Sequence, residues 1–160
     1  MIRPATIEDT KPIAHIIIKA WEQAYTGIID PDYPKNMKES TFIDIIGSNI
    51  LQERETIFLY EDHAQIRGFI SGKRQEGTYD CQVIGFYILP EYQGKGIGTA
   101  LLSHMKHHFK AQGCKAMIIW TLLHAKNNSF YKNQGGIASE NAQLEIGSRR
   151  YPGVGFSYTL

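Results

Sequence analysis

Glycine recurs at alternate positions in Gln93-Gly94-Lys95-Gly96-Ile97-Gly98-Thr99, just after the apolar run Val83-Ile84-Gly85-Phe86-Tyr87-Ile88-Leu89 that ends at Pro90. A helical apolar pattern takes over at once, so the stretch reads as strand, loop and helix. Residues without a Cβ let the chain enter φ > 0 and bring its N–H groups close to a ligand. The first N–H groups of a helix have no internal partner and carry roughly half a unit of positive charge between them. The chemistry this loop offers is the binding of an anion, phosphate or pyrophosphate being the natural guest.

Two common phosphate loops do not fit. A dinucleotide fingerprint needs glycine where Thr99 stands, and a P-loop needs a Gly-Lys-Ser/Thr ending that is absent. What remains is Gln93-x-x-Gly96-x-Gly98 behind a strand and Pro90. This resembles the pyrophosphate loop of the GNAT superfamily of acyl-CoA N-acyltransferases. The resemblance implies that Gln93, Gly94, Lys95, Gly96, Ile97, Gly98 and Thr99 hold coenzyme A, with acetyl-CoA as co-substrate and no metal.

A second stretch, His124-Ala125-Lys126-Asn127-Asn128-Ser129-Phe130-Tyr131-Lys132-Asn133-Gln134-Gly135, is similar to that family's Asn-x-x-Ala-x-x-Phe-Tyr-x-x-x-Gly segment. By pattern alone Phe130 and Tyr131 are core aromatics. The resemblance puts Tyr131 beside the coenzyme A sulfur and makes Asn127 and Asn128 alternative contacts for the pantetheine arm. The match departs at its start, where Asn127 stands at the usual alanine and His124 at the usual asparagine.

Acyl transfer from a thioester to an amine makes three demands. The amine, with a pKa of about 10.4, must be neutral to attack, which calls for a base or an apolar, cation-averse pocket. Negative charge building on the thioester oxygen wants a preorganised N–H, worth some 3 kcal/mol; the resemblance assigns this to the main chain of Ile88. The leaving thiolate, of pKa about 8.5, needs a proton or hydrogen bond, which the phenol of Tyr131 is suited to give. Many family members carry a glutamate base on the central strand, but here the corresponding residue is Gln82. Asp80, Glu76 and Tyr87 remain as alternatives, as does an amine that arrives neutral.

The N-terminal Trp21-Glu22-Gln23-Ala24-Tyr25-Thr26-Gly27 and the ending Glu145-Ile146-Gly147-Ser148-Arg149-Arg150-Tyr151 also look like small bacterial-type family members. They imply that Trp21, Tyr25 and Ile29 contact the acceptor. The expected function is N-acetylation of a small-molecule or protein amine. The alternative is a non-catalytic module that binds acyl-CoA as a sensor or structural ligand. His104 and His108 have the spacing of a metal pair but no evident further ligand, and a solvated helix face is expected for them.

The elements that must position these residues follow from periodicity. Ile2 to Ala5 reads as an edge strand, where Pro4 is tolerated. Thr6 or Asp9 caps a helix whose buried face is Ile13, Ile17, Ala20, Trp21 and Ala24. A second helix near Glu39 to Gln52 turns Phe42, Ile45, Ile46 and Ile50 inward, and strands follow at Thr56 to Tyr60 and Gln65 to Lys73. After the glycine loop, Leu101, Leu102, Met105 and Phe109 mark a helix that stops at Gly113. Met117 to Leu122 is a strand covered on both faces, Asn127 to Gln134 a short helix, and the tail a hairpin turning at Gly147-Ser148. The fold class is mixed α/β, a central sheet flanked by helices, and the GNAT resemblance implies central strands that splay apart.

Length and composition agree. The 160 residues, 42% hydrophobic and 21% charged, suit a single domain over 1–160. A net charge of +1 gives no footing for nucleic acid. Two cysteines are too few for a disulfide framework and are expected as free buried thiols. No apolar run approaches the roughly 20 residues of a membrane helix, so a cytoplasmic protein without membrane partners is expected, and a homodimer stays open.

Overall fold

A seven-stranded sheet in the order β1-β2-β3-β4-β5-β7-β6 runs through the computed structural model, which describes residues 1–160. The strands are β1 Ile2–Pro4, β2 Thr56–Asp62, β3 Gln65–Arg74, β4 Cys81–Ile88, β5 Ala116–Leu122, β6 Ile137–Ile146 and β7 Arg149–Thr159. The helices are α1 Thr10–Ala24, α2 Asp32–Lys35, α3 Glu39–Leu51, α4 Ile97–Ala111 and α5 Asn128–Asn133. No helix is long and apolar enough to cross a membrane.

Strand alternation divides the core into two layers. Phe58, Ile70, Val83, Met117 and Ile119 face α4, whose Leu101, Leu102, Met105 and Phe109 are completely buried against them. Ile57, Leu59 and Phe69 face α1 and α3 on the opposite side, against Ile13, Ile16, Ile17 and Ile46. Burial of each such side chain contributes about 1.5–3 kcal/mol, so the two helical layers grip the sheet from both faces. Trp21 and Ala24 of α1 are only half-buried, because they lie at the end of the helix where the sheet opens.

Ile45 departs from the expected inner face of α3 and is 50% exposed. It follows Ile43 and precedes Ile46, both turned inward, and each helical residue rotates by about 100°, so Ile45 faces away from that contact. The helix α2, a single turn within the segment read as a break, was not anticipated. Pro4 does sit on an edge strand, as its missing N–H requires, and the β1 end is tied down by Arg3, whose guanidinium donates to both oxygens of Asp9 at 2.9 Å. That contact, with the N–H of Thr6, holds the buried Asp9 carboxyl below its ordinary value.

The centre of the sheet is where function is built. Parallel β4 and β5 pair only over Cys81–Val83 with Met117–Ile119. A bulge follows immediately: Gly85 pairs with Ser71 and Val83 with Gly72, leaving Ile84 as the extra residue. A bulge bends its strand and raises its twist, and beyond it β4 and β5 part. The strands therefore splay as the family resemblance implied.

Candidate active site

The splay creates two cavities that meet inside the sheet. The larger, of about 400 Å³, lies on the α4 side and is lined by Gln93, Gly94, Gly96, Gly98 and Thr99 of the loop with Asn127, Phe130 and Tyr131 opposite. The narrower, of about 80 Å³, lies between the strands and reaches Ala20, Ala24 and Tyr25 of α1. Phe86, Ile88, Gln93, Asn127 and Tyr131 line both, so the two form one passage from the glycine loop to the opposite face of the sheet.

The loop has the conformation its glycines allow. Gly94 has φ +72°, and Gly96, the N-cap of α4, has φ +82°, left-handed values that side-chain-bearing residues rarely take. A Cβ on Gly98 would stand 3.1 Å from Ile88 Cδ1 and 3.2 Å from Phe130 Cζ, so its absence lets α4 approach the strand end. Ile97 is buried in the core, which leaves only its main chain available to the loop. Lys95 is exposed, with its ammonium 4.9 Å from the centre of the Tyr92 ring, and does not line the passage. The Thr99 hydroxyl accepts a hydrogen bond from the Gln134 amide at 3.1 Å.

Main-chain pairing decides where Ile88 points. The N–H of Leu89 donates to Arg67 at 2.9 Å, while Ile88 lies opposite Gly68. In an antiparallel ladder alternate residues turn their N–H and C=O away from the partner, so those of Ile88 face the gap. The Gln93 amide donates to the Ile88 carbonyl at 3.2 Å, leaving the N–H as the donor at the passage.

Tyr131 is 5% exposed, stacks on Phe156 with ring centres 5.4 Å apart, and packs edge-on to Phe130. Its hydroxyl bonds no protein group, and the residue lines both cavities. Burial, with smaller contributions from Tyr87 and Tyr158, raises its pKa, so the phenol stays protonated at neutral pH. The two asparagines separate cleanly. Asn127 is exposed in the passage, whereas Asn128 donates to the carbonyls of Leu122 and Leu123 at 2.9 and 3.0 Å and accepts from Thr121. Asn128 thus closes the end of β5 and does not line the passage.

No aspartate, glutamate or histidine lines either cavity. Gln82 does not line the gap; Val83 and the bulged Ile84 are the residues this part of β4 presents there. Glu76 is in an exposed turn. Asp80 accepts three hydrogen bonds from the N–H groups of Lys115 and Ala116, which depress its pKa and make it a poor base. Tyr87 lines the gap, accepts a hydrogen bond from Trp21 Nε1 at 3.1 Å, and has its pKa raised by burial.

On the acceptor side Tyr25 lines the passage and burial, then Tyr131, push its pKa up to about 12. Trp21 stands behind it with ring centres 4.5 Å apart. Ile29 is buried against Leu122 and Ala125, so it supports the wall from within instead of lining it. The loop that carries it is fastened to the final hairpin, since the Asp30 N–H donates to the Tyr151 hydroxyl and Arg149 pairs with Asp30. His104 and His108 lie far round α4 and both pack edge-on to Phe58, so this pair is not the fully solvated face expected. Asp80, Cys81 and Cys114 also bring ligand-type atoms within 4.8 Å of one another, but burial raises the Cys81 thiol and the Asp80 oxygens are already engaged.

A glycine loop, an unpaired main-chain N–H and a protonated phenol thus line one passage through the sheet. Residues 8–135 match the model of the acetyltransferase (GNAT) family, and the chain belongs to that family. It is 27% identical to the uncharacterized N-acetyltransferase YuaI of Bacillus subtilis, over 98% of this chain and 91% of that protein. It is 28% identical to a spermidine N(1)-acetyltransferase of Thermoplasma acidophilum, over 84% of this chain and 86% of that one. The crystal structure of PaiA N-acetyltransferase from the same organism, in complex with coenzyme A, superimposes with a TM-score of 0.83 at 19% identity, covering 100% and 98% of the two chains. The protein is therefore an N-acetyltransferase of the GNAT family.

Proposed function

We propose that the protein transfers the acetyl group of acetyl-CoA to a primary amine of a small molecule by direct attack, without a covalent enzyme intermediate. The pyrophosphate lies on the main-chain N–H groups of the loop from Gln93 to Thr99, and the pantetheine arm enters the splay beside Asn127. The thioester oxygen takes its hydrogen bond from the Ile88 N–H, and the amine arrives from the α1 side past Tyr25. Attack forms the C–N bond; collapse of the tetrahedral centre breaks the C–S bond, with the thiolate hydrogen-bonded to Tyr131 while the new amide nitrogen gives its proton to water.

The absence of any carboxylate or imidazole in the passage has a direct consequence for the amine. Eleven of the fourteen residues around the gap are hydrophobic, an environment that disfavours the ammonium and so favours the nucleophilic neutral form. Trp21 frames the acceptor side through its bond to Tyr87.

The observation that carries this reading is that the unpaired N–H of Ile88 and the unpartnered hydroxyl of Tyr131 share one passage with the glycine loop. The name of the spermidine-acetylating relative supports a small aliphatic amine over a protein amine. Thiol release from acetyl-CoA across a panel of amines and peptides tests it. A protein that binds coenzyme A yet releases no thiol with any acceptor would instead be an acyl-CoA-binding module.

A further inference from the structure

A third cavity, of about 220 Å³, lies within the apolar layer between α1, α3 and the sheet. Its walls are Ile13 and Ile17 of α1, Phe42 and Ile46 of α3, and Ile57 and Phe69 of the sheet. Trp21, Ile84 and Tyr87 line it as well, and Ile84 and Tyr87 also line the gap between β4 and β5, so cavity and passage meet along that edge of β4. Well-packed interiors contain few voids larger than a water molecule, and two of the residues lining this one, Ile84 and Ile45, are also 42% and 50% exposed.

One charged residue, Glu55, stands among these apolar side chains. Asn49 donates to its Oε1 at 3.1 Å, and no lysine, arginine or histidine pairs with it. A carboxylate beside apolar surface gains from a cationic partner that the protein itself does not supply. We propose that this cavity is the binding site for the body of the acceptor, and that the acceptor is a short aliphatic diamine. Its reacting amine, neutral, lies at Ile84 and Tyr87 beside the thioester; its methylene chain fills the apolar cavity; its second, protonated amine pairs with Glu55. The volume is below the roughly 300–1,000 Å³ of pockets for drug-sized ligands and suits a short chain such as a five-carbon diamine. Glu55 is then the residue that selects a second positive charge. This assignment rests on the acetyltransferase reading above.

The test compares cadaverine with n-pentylamine, which differ in the second amine alone, by calorimetric titration into the wild type and E55Q, with turnover of acetyl-CoA measured alongside. Glutamine keeps the size of the side chain and an oxygen for Asn49, so the variant folds and binds coenzyme A as the wild type does. The expected result is that the wild type binds cadaverine at least about tenfold more tightly than pentylamine, in line with a hydrogen bond to a charged group, and that E55Q loses this preference. Equal affinities, no binding of either amine, or a preference that survives in E55Q would overturn the assignment. The two proposals fail separately. A Glu55-dependent preference with no acetyl transfer to any amine keeps the diamine site and removes the enzyme; transfer to both amines alike keeps the enzyme and removes the site.

Discussion

Replacing Tyr131 by phenylalanine removes one oxygen and leaves the stack on Phe156 and the edge contact with Phe130 intact. Because the hydroxyl bonds no protein group, its loss strands no buried partner, and stability should change by no more than about 0.5 kcal/mol. The catalytic effect follows from the acidities. An ordinary phenol of pKa about 10 is already a weaker acid than a thiol of about 8.5, a gap of about 2 kcal/mol, and burial of Tyr131 widens it. Full proton transfer is thus uphill, and the hydroxyl acts by hydrogen-bonding the departing sulfur as charge builds there. Such a bond to a charged group is worth about 1.5–3 kcal/mol, or between about tenfold and 10²-fold in rate. The apolar surroundings favour the upper end. Single-turnover kinetics with saturating acetyl-CoA and the best amine found should therefore show a loss of about 10²-fold in kcat, with coenzyme A affinity preserved. An acyl donor whose thiol is more acidic should narrow the difference, since its thiolate needs less help. Equal rates in the two proteins, or an effect confined to KM, would show that Tyr131 is a packing residue and that the sulfur is served by another donor.

In the loop, Gly96→Val should fold at a cost of about 1–3 kcal/mol for a β-branched residue at φ +82° and lose measurable coenzyme A binding by calorimetry. Lys95→Ala should weaken that binding by less than about tenfold, because the ammonium is exposed over Tyr92. Asn127→Ala should raise KM for acetyl-CoA at unchanged melting temperature, whereas Asn128→Ala, which removes the bonds closing β5, should lower the melting temperature and act on catalysis only through it. As no carboxylate or histidine lines the passage, kcat/KM should rise with pH towards the pKa of the amine itself. Amines of lower pKa should shift the whole profile down; a plateau at one pH for every amine would reveal an enzyme base.

Periodicity made the frame legible where one contact decides a side chain's environment. The face of α4 and the both-sided burial of β5 come from a single sheet-facing register, and the strand-loop-helix stretch announces its glycines directly. Legibility stopped where two contacts compete. Ile45 matches a helical apolar spacing but loses to Ile43 and Ile46 once α3 packs on α1 as well as the sheet. Ile29 looked like a loop residue beside the acceptor and proves to be buried against Leu122 and Ala125. The choice between Asn127 and Asn128 depends on which side chain closes β5, a tertiary matter that adjacent identical residues hide. The bulge at Ile84 carries no strong local signal beyond Gly85, yet it sets which residues of β4 line the gap, and Gln82 is not among them. Glu55 has no motif; only the fold brings it to the end of an apolar cavity.

The short seam between β4 and β5 gives the molecule a mechanical character. Only three residue pairs of the ladder join β1–β4 to β5–β7, and beyond them the two halves are held by the core that α4 covers on both sides of the seam. A ligand that spans the wedge becomes a crossbrace there, and its binding free energy stabilises the folded sheet. Amide exchange at Phe86 and Ile88, whose N–H groups face the wedge, is then a gauge of occupancy.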